Sequence, residues 1–326
     1  MIEISHLTKK YGDHTAVDDL NLTIEPGRIY GFLGPNGAGK STTMNMITGY
    51  LAATEGTVTI DGHDIYKEAN KAKSHIGYLP EIPPLYPDMT VLEYLTFAAE
   101  LKKIPKDKRE QEVDDACITS GISDVAGRLI RNLSKGYKQR VGIAQAILGK
   151  PDIVILDEPT AGLDPAQIIE VRDLIRELGK EHTVILSSHI LSEISEICNY
   201  VFIISKGKLV ASDETENLLS HVNGSQEIEI TVTVENDTPD VSHIQSVFDG
   251  LEDVDHTEMK ESSEEGTVFL KIFALPDKDI RADVFKCAAS NGLILLSLNS
   301  RSRSLEDVFL ELTQTDEAYE EGGDEE

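Results

Sequence analysis

A glycine-rich segment at residues 34–41, Gly-Pro-Asn-Gly-Ala-Gly-Lys-Ser, carries the clearest chemistry in this sequence. It fits the pattern G-x-x-x-x-G-K-[ST], in which glycines let backbone N–H groups turn toward phosphate oxygens. Lys40 is placed to reach the β- and γ-phosphates of a nucleotide, and Ser41 to offer its hydroxyl to Mg²⁺. The residues predicted to hold the nucleotide here are Gly34, Pro35, Asn36, Gly37, Ala38, Gly39, Lys40, Ser41 and Thr42.

Two carboxylates follow an apolar strand that is expected at residues 153–157. Ligands of open α/β sheets bind at the carboxyl ends of the strands. We therefore expect Asp157 to hold Mg²⁺ through water and Glu158 to polarise an attacking water. The next strand ends at Ser-Ser-His189, where the imidazole is placed to reach a γ-phosphate. Glu158 and His189 are the predicted catalytic residues.

Three further positions have both a structural and a functional interpretation. Asp164, followed by proline, is typical of a helix start. Ser134 fits the N-cap of the helix expected at 136–148, where free N–H groups would suit an anion. Tyr11 is an aromatic residue at a strand end, and it could stack on an adenine ring.

The elements that must position these residues alternate between strand and helix patterns over residues 1–220. The stretch from 153 to 205 is strand–helix–strand–helix–strand with β-branched runs, typical of buried parallel strands with helical crossovers. The earlier strands resemble hairpins, so a mixed sheet is expected. Strands are predicted at 2–7, 17–24, 28–33, 57–61, 75–79, 153–157, 183–187, 200–205 and 208–211. Helices are predicted at 40–50, 90–103, 107–120, 136–148, 165–179, 190–198 and 214–221.

The pattern changes after a linker predicted at residues 221–226. Strand 227–234, helix 241–250, strands 252–259 and 266–274, helix 278–290 and strand 292–299 are expected in turn. This β-α-β-β-α-β order is the ferredoxin-like arrangement. A last helix, 305–314, is expected to offer the apolar residues Val308, Phe309 and Leu312 for a contact between two copies. The acidic tail, 316–326, is expected to be disordered.

Composition limits the function further. The chain has 326 residues and a net charge of −28, and residues 221–326 alone hold 26 acidic against 7 basic residues. Such a surface repels nucleic acid and anionic lipid. No apolar run approaches the roughly 18 residues of a membrane span, and the N-terminus lacks a hydrophobic signal region, so a cytosolic protein is expected. Cys117, Cys198 and Cys287 have no paired spacing and are expected as reduced thiols.

Together these segments resemble the ATP-binding subunits of ABC transporters, over residues 1–220 and in the family's order. The matching motifs are Tyr11, the Walker A loop 34–42, the Q-loop position 81, the signature 133–137, Walker B 153–158, the D-loop 161–165 and the switch His189. The phrases at 187–192 and 304–313 are similar to those of bacterial subunits that pair with a separately encoded permease, often for export.

This resemblance implies an α/β fold: a P-loop ATPase domain at 1–220 with a mixed or parallel sheet and a helical subdomain at about 80–150. A small α+β, ferredoxin-like domain would follow at 221–315 and act in regulation or dimerisation. The segment 80–135 would contact the permease. The subunit would lie on the inner face of the cell membrane through that permease, without a membrane span of its own and without nucleic acid.

The resemblance also implies a head-to-tail homodimer, or a pairing with a similar ATPase subunit. ATP would lie between the Walker motifs of one copy and Ser134 and Gly136 of the other. Asp164 of the D-loop would also belong to the nucleotide-binding residues. Mg²⁺ would be held by Ser41, Asp157 and the Q-loop residue Glu81. Nucleotide-driven closure and opening would drive the permease between its two states.

Two departures from the family pattern stand out. Glu81 replaces the usual glutamine, which keeps an oxygen ligand and adds negative charge. Lys135 replaces a signature glycine, and it would either approach the γ-phosphate across the dimer or face solvent. A soluble ABC ATPase acting on ribosomes or nucleic acid is the main alternative. The single ATPase half, the lack of heptads and the acidic charge argue against it. A subunit that binds ATP without turnover is disfavoured by Glu158 and His189.

Overall fold

The computed structural model describes residues 1–222, 227–234, 241–260, 266–275 and 278–301. Contacts within the chain divide it into two units, Met1–Thr215 and Glu216–Glu326. This division falls close to the linker predicted from the sequence, at the start of α8 (Thr215–Val222). The helix predicted at 305–314, with Val308, Phe309 and Leu312, and the tail 316–326 lie outside the described residues.

A six-stranded sheet forms the centre of the first unit, in the order β10-β9-β3-β8-β7-β6. All neighbours pair in parallel except β10, which runs antiparallel to β9. Every residue of β3 and β7 is buried, as expected for strands covered on both faces. The strands are β3 (Ile29–Leu33), β6 (Ile76–Leu79), β7 (Ile153–Asp157), β8 (Thr183–Ser188), β9 (Tyr200–Ser205) and β10 (Lys208–Glu214).

A second sheet of the same unit is antiparallel, in the order β2-β1-β4-β5. Apolar side chains from the two sheets and from α1 (Lys40–Ile47) form one core, in which Phe32, Met44 and Ile155 are fully buried. The mixed sheet architecture predicted from the sequence is thus confirmed. The antiparallel strands are β1 (Ile2–Tyr11), β2 (His14–Ile24), β4 (Glu55–Ile60) and β5 (His63–Asp64).

The helical subdomain consists of three helices that pack against one another. Thr90 begins α3 with a capping box, because its side chain accepts from the N–H of Glu93 while the Glu93 carboxylate accepts from the N–H of Thr90. The helices are α3 (Val91–Leu101), α4 (Lys106–Thr119) and α5 (Lys135–Ile147). Two 3₁₀ turns, Ser123–Val125 and Ile130–Asn132, lead from α4 into α5.

Two crossover helices connect the later parallel strands, α6 (Pro165–Leu178) and α7 (Leu191–Ile197). Sequence analysis found both and missed α2 (Ala69–Ser74). That helix has six residues and no side-chain cap, so neither its periodicity nor its ends leave a clear pattern.

The second unit has the order β11-α9-β12-β13-α10-β14 in its described part. Its strands form an antiparallel sheet in the order β12-β13-β11-β14, which confirms the ferredoxin-like arrangement. Alternate residues of β11 are buried in a core with Phe248 of α9. The elements are β11 (Glu227–Val234), α9 (Val241–Asp249), β12 (Val254–Lys260), β13 (Val268–Ala274), α10 (Arg281–Ser290) and β14 (Leu293–Arg301).

Phe248→Ala should destabilise the second unit selectively. Phe248 is fully buried in that unit's core, and truncating a buried phenylalanine typically costs about 3–5 kcal/mol. Hydrogen exchange followed by mass spectrometry should show faster exchange in β11 and β13 and unchanged protection in β3 and β7. Phe285→Ala is the matched control, because that ring is 58% exposed on α10. Equal effects of the two variants would contradict the assigned core.

Candidate nucleotide site

The carboxyl ends of β3, β8 and β7 meet at one edge of the parallel sheet. The loop of residues 34–39 connects β3 to α1, Asp157 ends β7, and β8 ends one residue before His189. The parallel register pairs Asp157 directly with Ser187. The sheet thus brings the phosphate loop, the strand-end carboxylates and the switch histidine together.

Close backbone approach explains two glycines of the phosphate loop. A side chain on Gly34 would place its Cβ 2.2 Å from the carbonyl oxygen of Ile204, and one on Gly39 would lie 2.5 Å from that of Ala16. Gly39 also has a φ of +104°, which residues with side chains rarely adopt. Immediately after it α1 begins at Lys40, and the first N–H groups of that helix are available to an anion.

Lys40 is buried, and its ammonium group is surrounded by oxygen atoms. Nζ donates to the carbonyl oxygens of Gly34 at 2.7 Å and Pro35 at 3.1 Å, and it lies 3.7 Å from Oε1 of Glu158. Burial lowers the pKa of Lys40, while the carboxyl groups of Glu158 and Asp157 act in the opposite direction. The predicted phosphate-binding lysine therefore contacts the predicted base.

Asp157 accepts hydrogen bonds from two hydroxyl groups. Ser41 Oγ donates to Oδ1 of Asp157 at 3.1 Å, and Ser187 Oγ donates to the same oxygen at 2.6 Å. Sequence analysis selected Ser41 and Asp157 but gave Ser187 no role. The available signal was the expected parallel pairing of these two strands, which places a serine beside the aspartate.

The oxygen atoms of Ser41 and Asp157 are suited to Mg²⁺, which prefers hard oxygen ligands. Proteins usually hold this ion with one or two carboxylates together with substrate phosphates. Within the part of the chain that the structure describes, no group of three or more His, Cys, Asp or Glu side chains forms a metal cage. The donor set therefore fits an ion that arrives with a nucleotide.

Glu158 is held through both its backbone and its side chain. Its N–H donates to Ser187 Oγ at 2.9 Å, and its Oε2 lies 2.9 Å from Nδ1 of His189. Because an ionised carboxylate can only accept, Nδ1 carries the proton in this contact. The φ of Glu158 is +47°, a left-handed conformation that costs roughly 1–2 kcal/mol in a residue with a side chain. Backbone strain of this kind clusters at functional sites.

One cavity of about 510 Å³ joins most of the predicted residues. Tyr11 forms one wall at the end of β1. Tyr11 is 49% exposed, and Nζ of Lys9 lies 5.1 Å from its ring centre. Glu81 is exposed and reaches the same cavity. The predicted residues that line it are Tyr11, Asn36, Gly37, Gly39, Lys40, Ser41, Thr42, Glu81, Glu158 and His189.

Ser134, Gly136 and Asp164 are not among the described residues that line this cavity. Ser134 caps α5, since its Oγ accepts from the N–H of Tyr137 at 3.3 Å. Asp164 caps α6 by accepting from the N–H of Gln167 at 3.0 Å. A Cβ on Gly136 would lie 2.6 Å from the Gln167 side chain, so the starts of the two helices pack closely.

Comparison with known proteins agrees with this geometry. A family model described as "ABC transporter" matches residues 17–161. The uncharacterized ABC transporter ATP-binding protein YhcH of Bacillus subtilis (strain 168) is 34% identical over 316 residues, which cover 96% of each chain. The chain belongs to the ATP-binding subunits of ABC transporters.

Two further comparisons extend this assignment. The bacitracin transport ATP-binding protein BcrA of Bacillus licheniformis is 42% identical to this ABC subunit over 212 residues, 64% of this chain and 68% of the relative. A dimeric ATP-binding cassette, MJ0796, solved in a post-hydrolysis state with ADP and Pi, matches with a TM-score of 0.60 at 25% identity. That match covers 66% of this chain and 99% of the other.

The ABC subunit binds and hydrolyses ATP, as its family and its structural neighbours indicate. The predicted P-loop ATPase fold is confirmed by the same comparisons. A bilayer-spanning helix, sufficiently long and apolar, is not found among the residues that the structure describes.

Ser187→Ala should weaken both stability and turnover. The hydroxyl bridges the Asp157 carboxylate and the N–H of Glu158, and leaving that buried N–H without an acceptor costs about 1–3 kcal/mol. Urea unfolding and a steady-state ATPase assay would measure the two effects. Ser195→Ala on α7 is the control, because its hydroxyl donates to the carbonyl of Ser192 within the same helix, at an exposed position. Identical behaviour of the two variants would contradict a bridging role.

Proposed function

We propose that this ABC subunit powers export of a substrate through a separately encoded membrane permease. It works as a head-to-tail homodimer, or paired with a similar subunit, on the inner face of the cell membrane. The sequence phrases at 187–192 and 304–313 and the relative named for bacitracin transport support this proposal. The strongest support is that residues of the phosphate loop, Glu158 and His189 line one and the same cavity.

Glu158 acts as the general base in the proposed hydrolysis. A water oxygen attacks the γ-phosphorus, the water proton passes to the Glu158 carboxylate, and the bond to the β–γ bridging oxygen breaks to leave ADP and phosphate. Lys40 balances the charge of the β- and γ-phosphates. The imidazole of His189 orients the base, which is supported by the contact between Nδ1 and Oε2 of Glu158.

Ser41, Asp157 and Glu81 would supply the protein oxygen donors for a Mg²⁺ ion bound together with ATP. When bound, the ion would neutralise phosphate charge. Glu81 lines the same cavity as the phosphate loop, and its carboxylate opposes the lowering of the Lys40 pKa that burial causes. An added negative charge at this position makes the metal more necessary than a glutamine would.

A second copy of the chain completes the ATP site with Ser134 and Gly136. The first N–H groups of α5, which Ser134 caps, would bind the γ-phosphate across the dimer. Two observations support this arrangement: neither residue lines the cavity of its own chain, and the solved cassette MJ0796 is dimeric. Lys135 meanwhile extends over its own D-loop, where its Nζ would lie 2.3 Å from a Cβ added to Gly162.

Glu158→Gln should bind ATP normally, lose turnover and accumulate as a dimer. Removing a positioned general base typically lowers the rate by about 10²–10⁴-fold. Phosphate release measures turnover, and light scattering with ATP measures dimerisation. Glu177→Gln serves as the control, because that exposed carboxylate lies away from the ATP cavity and pairs with Lys180 at 2.7 Å. Turnover by Glu158→Gln that is close to wild type would exclude Glu158 as the base.

The proline-rich segment 80–87 is the proposed docking site for the permease. Its prolines restrict the backbone and keep Ile82 82% exposed and Tyr86 52% exposed. Leu85 is partly buried, so it offers less apolar surface to a partner than Ile82 and Tyr86 do. A groove of about 730 Å³ runs beside the segment. Glu81 lines both this groove and the ATP cavity. In the proposed arrangement, a movement of the docked permease would therefore shift a residue of the ATP cavity.

Ile82→Glu should release the subunit from permease-containing membranes while its own ATPase activity persists. A charge on this exposed residue would have to be desolvated on docking, and Ile82 is not among the described residues that line the ATP cavity. Co-sedimentation with membranes measures the effect. Ile118→Glu is the control, since Ile118 is 70% exposed on α4 and lines neither cavity. Equal membrane association of the two variants would contradict docking at this segment.

The second unit is proposed to regulate the ATPase or to stabilise its dimer. The described part of this unit has a packed core and no phosphate loop. Phe248→Ala, which loosens that core, should therefore alter dimerisation or the control of turnover by the permease, and leave ATP binding unchanged. A variant that matched wild type in both respects would leave the unit without a regulatory role.

A further inference from the structure

Glu193 is buried in the first turn of α7, only 2% exposed, and the reaction proposed above does not use it. Its Oε2 accepts two hydrogen bonds from hydroxyl groups in two different segments. Thr160 Oγ1 donates to it at 2.6 Å, and Ser188 Oγ donates to it at 3.1 Å. One carboxyl oxygen thus joins the segment that follows β7 to the end of β8.

Both donors stand next to the predicted catalytic residues in the sequence. Thr160 lies two residues after Glu158, and Ser188 lies immediately before His189. The two hydroxyl-bearing residues are buried as well. Ser188 Oγ also accepts from the N–H of Ile190 at 3.0 Å, which fixes the turn that carries the imidazole. Glu193 therefore accepts hydrogen bonds from a residue close to Glu158 and from the residue before His189, but from neither Glu158 nor His189 in these contacts.

The other carboxyl oxygen of Glu193 has no hydrogen-bond partner among the described residues. Burying an acceptor without a partner is unfavourable, and such groups are few in native proteins. An apolar side chain would satisfy packing at this position, but it would leave the buried hydroxyls of Thr160 and Ser188 without this acceptor. The packing of α7 alone therefore does not account for a glutamate here, whereas a requirement for an acceptor between the two segments does.

We propose that Glu193 is a positioning residue for ATP hydrolysis, and this rests on the proposed roles of Glu158 and His189. Ser187 holds the backbone N–H of Glu158, and the hydrogen bond from Thr160 to Glu193 holds the segment that follows it. Ser188, bound to the same oxygen, holds the start of the histidine turn. The carboxyl group thereby sets the spacing at which Nδ1 of His189 meets Oε2 of Glu158.

The expected kinetic signature follows from this geometry. Nucleotide affinity depends on the phosphate loop, whose residues Glu193 does not contact in the hydrogen bonds above. A small displacement of the base affects the transition state more than the bound substrate. Loss of the Oε2 acceptor should therefore lower kcat and leave KM for ATP nearly unchanged.

The decisive experiment compares Glu193→Ala with Glu196→Ala. Glu196 lies on the same helix, is exposed, and pairs with Arg172. We expect kcat to fall about tenfold or more in Glu193→Ala, with KM for ATP changed less than about twofold, and both constants to stay near wild type in Glu196→Ala. Glu193→Gln, whose amide oxygen still accepts from both hydroxyls, should recover most of the lost kcat. A kcat near wild type in Glu193→Ala overturns the proposal.

A second arm separates positioning from a general structural role. In the Glu158→Gln background, single-turnover hydrolysis should show less than about a twofold further loss on adding Glu193→Ala, because the group that Glu193 positions is already gone. The proposal is overturned if Glu193→Ala lowers the rate in this background by as large a factor as in the wild type. It is also overturned if the fall in rate results from weaker ATP binding. Should Glu193→Ala not fold, Thr160→Val removes one donor at nearly constant volume and should show the same fall in kcat. Normal turnover by Glu158→Gln alone would instead reject the proposed base.

Discussion

The parallel pairing of β3, β8 and β7 is the constraint on which the nucleotide site depends. Parallel strands present their carboxyl ends at the same edge of a sheet, so residues far apart in sequence become neighbours there. The register that places Asp157 beside Ser187 is the clearest case. If β7 shifted by one residue against β8, the Asp157 side chain would turn to the opposite face. The bridge through the serine hydroxyl to the N–H of Glu158 would then be lost.

Two energetically unfavourable features lie at this edge of the sheet, and contacts with the rest of the unit stabilise them. An ammonium group is buried at Lys40, and a left-handed backbone occurs at Glu158. The ammonium is tolerated because two carbonyl oxygens and a carboxylate surround it. The strained backbone is held by a hydrogen bond on its N–H and by a histidine on its side chain. The two strands that end at this edge, β3 and β7, are fully buried and keep these groups in place.

The arrangement also keeps two residues of the proposed ATP site away from the cavity of their own chain. Ser134 and Gly136 belong to the start of α5, which packs against the start of α6 rather than around the cavity. The Gln167 side chain lies against Gly136, where an added Cβ would come within 2.6 Å of the amide end, so this side chain would have to move if the glycine were replaced. The signature therefore stands at a helix start that packs against the start of α6, and this is where a second copy would make its contact in the proposed dimer.

The sequence by itself determined the motifs and most of the elements that carry them. Continuous apolar runs marked β3 and β7, and the Gly-Lys-Ser spacing placed the start of α1 at Lys40. Serine and aspartate before apolar periodic segments marked the helices capped by Ser134 and Asp164. These signals are local: each depends on residues within one or two turns or within one strand. The βαββαβ order of the second unit was readable for the same reason.

Only the tertiary structure decided which side chains support the chemistry. Ser187 and Glu193 gave no local sequence signal, because their hydrogen bonds reach residues that are distant in the chain and adjacent only after the strands pair. The short helix α2 escaped detection because it has no side-chain cap. The partial burial of Leu85 likewise depends on how its segment packs on the domain. Local sequence specifies the elements, whereas contacts between elements depend on the assembled fold.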